Sequence, residues 1–239
     1  MSVYWTKINQ IIEETSEVKT FLLDVPEDFV WQEGAHTHFA LKGFNEGGVR
    51  DKSLVRHMSI STLPKENSVG ITTRLKEQCS PFKAIVKTLC VGDEVALFKI
   101  HTNVPLKREN KNIYLLSSGV GLATFRPVAL TYLADSSDVL SVTSLNVDST
   151  KEYLFTDVFT SNTEKNFEAT YVETRDEYYA AAEQLAGDSN GLYYVVGSDE
   201  FIQQNITLLF NNGITREQII LDKREQFIDK FFEIEQPTI

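Results

Sequence analysis

Apolar and polar residues alternate along most of the first hundred positions, and helical spacing shows itself there only once. Val18-Lys19-Thr20-Phe21-Leu22-Leu23 runs toward Pro26, and His38-Phe39-Ala40-Leu41 stops at Gly43. Val69 to Leu75 and Glu94 to Phe98 are β-branched or alternating, the pattern of half-buried strands. The exception begins at Ser80, a residue suited to cap a helix, with Pro81 in the first turn and Phe82, Ile85, Val86 and Leu89 on one apolar face. Several short strands with a single helix predict a small antiparallel barrel.

Beyond Pro105 the rhythm changes. Asn112 to Ser117 is an apolar run closed by Gly119, followed by a helical stretch to about Ala134 and a strand over Val139–Thr143. Strand and helix then alternate through Ala169–Val172, Tyr178–Leu185, Leu192–Val196, Glu200–Phe210 and Gln218–Leu221. Such alternation predicts right-handed crossovers and a parallel sheet. Pro105 and the charged stretch Lys107 to Lys111 interrupt both patterns. The expected division is therefore a domain over residues 1–107 and a second over 108–239.

Charge sharpens that division. The chain of 239 residues has a formal net charge of -11, and all of it arises after residue 110. An acidic chain without a Lys/Arg run repels a phosphate backbone, which argues against nucleic acid as a partner. Two cysteines, Cys79 and Cys90, cannot supply the four thiolates of an iron-sulfur cluster, and no close Cys/His grouping suggests a metal. Any cofactor is expected to be organic. Met1 to Lys7 lacks the apolar core of a secretory signal and no run approaches a membrane span, so the chain reads as cytoplasmic.

Four stretches could carry chemistry. Arg56-His57-Met58-Ser59 offers a cation and a hydroxyl three residues apart, which a regular strand places on opposite faces. Read blandly, it is a surface Arg and a strand Ser. Ser80-Pro81-Phe82-Lys83 opens the one barrel helix, where free N–H groups and the helix dipole suit an anion; its bland reading is an ordinary N-cap. Gly119-Val120-Gly121 follows an apolar strand and lets the chain approach a dinucleotide closely, although Thr124 stands where a third glycine is usual. Val196-Gly197-Ser198-Asp199 is either a second close approach or a turn ahead of a capped helix.

Taken together and in this order, these stretches resemble the ferredoxin-NADP reductase superfamily. The likeness runs over roughly residues 5 to 227. Arg56-His57-Met58-Ser59 is similar to that family's Arg-x-Tyr-Ser flavin signature, with Met58 in place of Tyr, and Gly34-Ala35-His36 resembles the step before the third barrel strand. Cys79-Ser80-Pro81-Phe82, coming after Ile71-Thr72-Thr73-Arg74, resembles its Cys-Ser-x-Phe element. Gly119 to Phe125 is similar to Gly-x-Gly-x-x-Pro-Phe with Thr124 for Pro, and Val196-Gly197-Ser198 stands where the family has Cys-Gly-Pro.

What the resemblance implies is a six-stranded antiparallel flavin-binding barrel followed by a Rossmann-like parallel-sheet nicotinamide domain. FAD would be anchored by Arg56 and Ser80, with His57, Met58, Thr73, Cys79 and Phe82 around it, and Ser59 would tune the flavin N5. Gly119, Gly121, Thr124, Gly197, Ser198 and Asp199 would frame the nicotinamide dinucleotide. Glu225 would be the acidic catalytic residue and Phe227 the aromatic over the flavin's other face; a solvated Glu and an interface aromatic are the alternative.

The implied activity is an NAD(P)H-dependent flavoprotein reductase. Hydride passes from NADH or NADPH to FAD, and electrons go on to a separate ferredoxin, flavodoxin or oxygenase component, or to free flavin or a ferric chelate. A non-catalytic flavin-binding subunit or redox sensor is the other reading. Leu145 to Thr150 contains no Arg for a 2′-phosphate, and Asp148 there would repel one and accept from a ribose hydroxyl, which favours NADH.

Overall fold

The computed structural model describes residues 2–48 and 50–233, with the side chain of Glu225 outside that description. The chain separates into two compact units, Met1–Pro105 and Leu106–Ile239.

The first unit is a six-stranded antiparallel half-barrel. Its strands are β1 (Tyr4–Glu13), β2 (Val18–Leu23), β3 (Ala35–Leu41), β4 (Val55–Ser59), β5 (Val69–Arg74) and β6 (Glu94–Thr102), in the order β4-β3-β6-β1-β2-β5. Alternation gives each strand an inward row, and Ile8, Phe21, Phe39, Ile71 and Leu97 from five of them share one core. Just past β4, Ile60 bridges to Ile71 and so draws the two ends of the sheet order together. The single helix, α1 (Pro81–Thr88), sends Phe82 and Val86 into the same core. Its start is fixed by Ser80, whose hydroxyl accepts from the Lys83 N–H, and by Pro81 in the first turn.

β1 was not legible in the sequence. Of its first residues only Thr6 and Ile8 are buried, and Lys7, Asn9 and Gln10 dilute the apolar signal. β3 and β6 carry a bulge between His36 and His38, where Lys99 adopts φ 52°.

The second unit is a five-stranded parallel sheet with helices on both faces. Its elements are β7 (Lys111–Ser118), α2 (Leu122–Ala134), β8 (Val139–Val147), β9 (Phe167–Val172), α3 (Arg175–Leu185), β10 (Leu192–Val196), α4 (Asp199–Asn211), β11 (Ile219–Leu221) and α5 (Glu225–Phe232). The strand order is β11-β10-β7-β8-β9, every pair parallel. β7 and β10 lie in the middle and are nearly continuous apolar runs, as strands covered on both faces must be. Tyr178 and Ala182 of α3, Phe201, Ile202 and Ile206 of α4 and Phe231 of α5 pack as one layer on this sheet. Among the described residues, no helix is long and apolar enough to cross a membrane.

Candidate functional site

In the first unit, β4 and the start of α1 converge on one ring. Arg56 stands opposite Phe39 in the β3–β4 register, and its guanidinium lies over the Phe82 ring, 4.8 Å from the centroid. Nη1 donates to the carbonyls of Val55 at 2.7 Å and Ser53 at 3.2 Å, so the turn before β4 holds the cation in place. Phe82 itself is 1% exposed and packs edge-on against Phe39. The sequence reading of Phe82 as a cofactor contact is therefore corrected: its ring is core, and it serves by seating Arg56.

The same helix start gathers further positive charge. Lys83 donates its ammonium to the Arg74 carbonyl at 2.8 Å. Burial pushes that ammonium below its usual range, Arg74 and Lys76 add to the effect, and Cys79 opposes it. A helix N-terminus with Arg56, Arg74, Lys76 and Lys83 around it suits a pyrophosphate. Ser80 sits at this point and Cys79, half-buried, immediately before it. Sequence reasoning missed the part of Lys83 and Arg74, which meet only because the end of β5 lies beside the start of α1.

The remaining flavin candidates divide by strand parity. Met58 packs toward the barrel core on the side of Arg56. His57 is exposed and stacks among other histidines on the opposite side, so it does not join Arg56. Ser59 is half-buried at the end of β4 and pairs in register with His36. Regular alternation places it on the His57 side, as its spacing from Arg56 dictates. Thr73, on β5, is 4% exposed, so its side chain is closed to a surface ligand. His36 is a buried strand residue at 4% exposure.

In the second unit, the C-terminal ends of β7 and β10 meet. Gly119 opens a short turn with φ 55°, and α2 begins at Leu122. A Cβ on Gly121 would fall 2.9 Å from the Val196 carbonyl oxygen, so only glycine lets the β7 turn lie against the end of β10. Asn146 of β8 braces the turn, donating to Ser117 Oγ at 2.8 Å and to the Gly119 carbonyl at 3.3 Å. Asn146 and Ser117 are fully buried and were missed by sequence reasoning; an Asn inside an apolar strand run was the available signal.

Beyond β10, Gly197 lies under the Phe201 ring and Ser198 caps α4, its hydroxyl accepting from the Phe201 N–H at 3.2 Å. Asp199 is engaged by α5 and the loop before it: Lys223 Nζ lies 2.8 Å away and Lys230 Nζ 3.6 Å. The hydrogen bond from Lys223 and the nearby cations hold its carboxyl below the usual range. Thr124, set by the sequence among the residues framing the dinucleotide, is 3% exposed inside α2, so its side chain is closed to a surface ligand. Phe227 is exposed on α5, with Lys230 over its ring, whereas the Glu225 side chain lies outside the described residues.

Asp148 differs from expectation. It is 4% exposed, and Oδ1 accepts from the Thr150 N–H at 3.0 Å and the Thr150 hydroxyl at 2.8 Å. It is a turn cap, so the idea that it presents itself to a ribose hydroxyl is corrected. Among the described residues, no group of three or more His, Cys, Asp or Glu side chains is placed to hold a metal ion.

No family model and no curated protein matches the chain's sequence. Solved structures do match its fold. A ferredoxin NADP+ reductase from Neisseria gonorrhoeae with bound FAD and NADP superposes with a TM-score of 0.76 at 18% identity, over 92% of this chain and 98% of that one. A cytochrome P450 reductase from Amycolatopsis gives 0.76 at 15% identity, over 93% of this chain and 69% of the other. The ferredoxin-NADP+ reductase of Plasmodium falciparum gives 0.72 at 13% identity, over 92% and 95%. The chain thus has the fold of the ferredoxin-NADP+ reductases.

Proposed function

We propose that this chain is a flavoprotein reductase that holds FAD on its barrel unit, takes hydride from a nicotinamide dinucleotide held on its parallel-sheet unit, and passes electrons to a separate acceptor. The observation that carries the reading is the Arg56 guanidinium seated on Phe82 at the cation-rich start of α1. Two phosphate-binding devices, a fixed guanidinium and a helix N-terminus, fit a pyrophosphate and so FAD in preference to FMN. The fold likeness to a reductase whose structure holds FAD and NADP supports the same reading.

Bound FAD would supply the hydride acceptor and the means of releasing electrons singly or in pairs. The chain's own residues bind and orient. Arg56 and the N–H groups after Ser80 hold phosphate and Met58 offers a polarizable thioether to a ring, whereas Ser59, on the opposite face at the end of β4, reaches N5 only if the strand turns there. Gly119 and Gly121, braced by Asn146, give a dinucleotide close access to backbone N–H groups, and Gly197 and Ser198 border it. Asp199 acts indirectly, by fixing α5 and the exposed Phe227 that it carries.

Purified protein is expected to be yellow and to release FAD on denaturation. Anaerobic mixing with NADH is expected to bleach the flavin spectrum rapidly. Release of FMN alone overturns the pyrophosphate argument, and bound FAD that does not bleach with NADH or NADPH supports a non-catalytic sensor instead.

A further inference from the structure

α4 buries a face formed by Phe201, Ile202, Asn205, Ile206 and Leu209. Asn205 is the polar member of that face, one helical turn beyond Phe201 and fully buried. An amide in that position is costly unless both its ends are bonded, and the fold bonds both. Nδ2 donates to the Phe201 carbonyl at 2.8 Å, and Oδ1 accepts from the Tyr178 hydroxyl of α3, also at 2.8 Å. Burial pushes that hydroxyl well above its usual range, so it remains a donor. Packing alone would be served by an apolar residue at 205. The amide adds a directional link between α3 and α4, inside a core where such a bond is strong.

That link lies beside the Phe201 ring. The Tyr178 ring stands 5.0 Å from it, and the Arg175 guanidinium lies over it, 5.2 Å from the centroid. Arg175 is itself steadied within α3, since Nη1 donates to the Tyr179 hydroxyl at 3.2 Å. The same Phe201 ring meets the chain just past β10. A Cβ on Gly197 would fall 2.5 Å from Phe201 Cδ1 and 3.0 Å from Cγ, so the Gly197 backbone rests directly on the ring. Any slide of α4 against α3 therefore carries the support of Gly197 with it.

We propose that Tyr178 and Asn205 are positioning residues: their buried hydrogen bond fixes α4 against α3 and, through the Phe201 ring, sets where the Gly197 backbone stands at the end of β10. A hydrogen bond fixes distance and direction together, whereas apolar packing tolerates small slides without loss of stability. The consequence for activity rests on the reading above, in which Gly197 borders a nicotinamide dinucleotide; the mechanical link does not. Where that reading holds, the bond acts on the rate of hydride transfer, because misplacement of a reacting ring costs rate even when the ligand still binds.

The test compares full-length wild type with Tyr178→Phe and with the double variant Tyr178→Phe/Asn205→Leu. Tyr178→Phe strands the Asn205 oxygen and is expected to lower the denaturant midpoint, whereas the double variant removes both polar partners and is expected to regain most of that loss. Flavin reduction on anaerobic mixing with saturating NADH or NADPH, whichever reduces wild type faster, is expected to be about tenfold slower in the double variant with flavin content unchanged. The Gly197 amide resonance, followed by NMR, is expected to move in both variants, although each keeps an aromatic ring at 178. A purely structural pair would recover rate together with stability. A wild-type reduction rate in the stable double variant thus overturns the proposal, and so does an unmoved Gly197 resonance. Should the double variant not fold, Phe201→Leu takes its place: the buried bond stays, the ring under Gly197 is gone, and the same slowing is expected, a wild-type rate again overturning the proposal. If wild type is reduced by neither cofactor while the Gly197 resonance moves in the variants, the flavin reading fails and the positioning link stands.

Discussion

The guanidinium of Arg56 lies over the ring of Phe82, 4.8 Å from its centroid, joining β4 to the first turn of α1. Neither residue explains the other's position alone. Phe82 is held by the barrel core, and Arg56 by backbone carbonyls of the preceding turn. Their contact places a fixed cation beside a helix N-terminus, the juxtaposition on which the proposed pyrophosphate site rests.

Replacing Arg56 by Ala is therefore expected to weaken FAD binding by roughly 1.5–3 kcal/mol, the scale of a hydrogen bond to a charged group, while the barrel stays folded. Arg56→Lys keeps the charge but not the planar fork of donors, and is expected to restore only part of the loss. Fluorescence titration of apoprotein with FAD measures both. Full affinity in Arg56→Ala would remove this residue from the site.

The turn after β7 makes a separate prediction. Gly121→Ala puts a methyl 2.9 Å from the Val196 carbonyl oxygen, against backbone that cannot swing away. Flavin content should remain unchanged while KM for the nicotinamide cofactor rises about tenfold, equivalent to ~1.4 kcal/mol. Steady-state kinetics with ferricyanide as acceptor gives the split, and a lowered kcat with unaltered KM would contradict it.

How far these features were legible depends on whether local sequence decides them. The helix at Ser80-Pro81 and the turn at Gly119-Val120-Gly121 are set by capping, proline and glycine, all local, and they stand where the sequence put them. The parallel sheet was legible because β7 and β10 are continuous apolar runs. Burial of Phe82, Thr73 and Thr124 was not legible, because a motif says which residues lie near a ligand and not which of them the core claims first. Asp148 misled for a related reason: its turn partner, Thr150, is two residues on and competes for the same oxygen. The meeting of His36, His38, His57 and His101 depends on pairing among three strands far apart in sequence, and no local signal announces it.

The segment α5 shows how tertiary context changes an experiment. Cutting the chain before Phe227 looks from the sequence like the removal of one flavin cover. In the fold it also removes Phe231, which is 3% exposed in the second unit's core, and Phe232, which packs on Phe210. Phe231→Ala is accordingly expected to destabilise that unit by about 3–5 kcal/mol, as other large-to-small core changes do. Phe227→Ala should leave stability nearly unchanged and alter flavin absorbance. Chemical denaturation and visible spectra of the two variants distinguish packing from cofactor contact, and a destabilised Phe227→Ala would place that ring in the packing as well.

On the proposed reading, the choice between NADH and NADPH would turn on charge at the ends of β8 and β9. Leu145 to Thr150 offers no Arg to a 2′-phosphate. The cation that follows, Lys151, lies 2.5 Å from Glu173 and is raised above its ordinary range first by that hydrogen bond and then by the carboxylate's charge. Its charge is thus matched within the fold, and Asp148, although committed to its turn, adds a carboxylate at the end of β8. A 2′-phosphate brought here would have to displace Glu173 from Lys151, whereas a 2′-hydroxyl would not. NADH is therefore expected to be preferred by roughly tenfold or more in kcat/KM, a difference of ~1.4 kcal/mol in transition-state binding. Glu173→Gln frees Lys151 and should narrow the ratio by improving NADPH alone. Steady-state kinetics with both cofactors decides the matter: a higher kcat/KM for NADPH in wild type overturns the preference, and an unchanged ratio in Glu173→Gln overturns the role given to the Lys151–Glu173 pair.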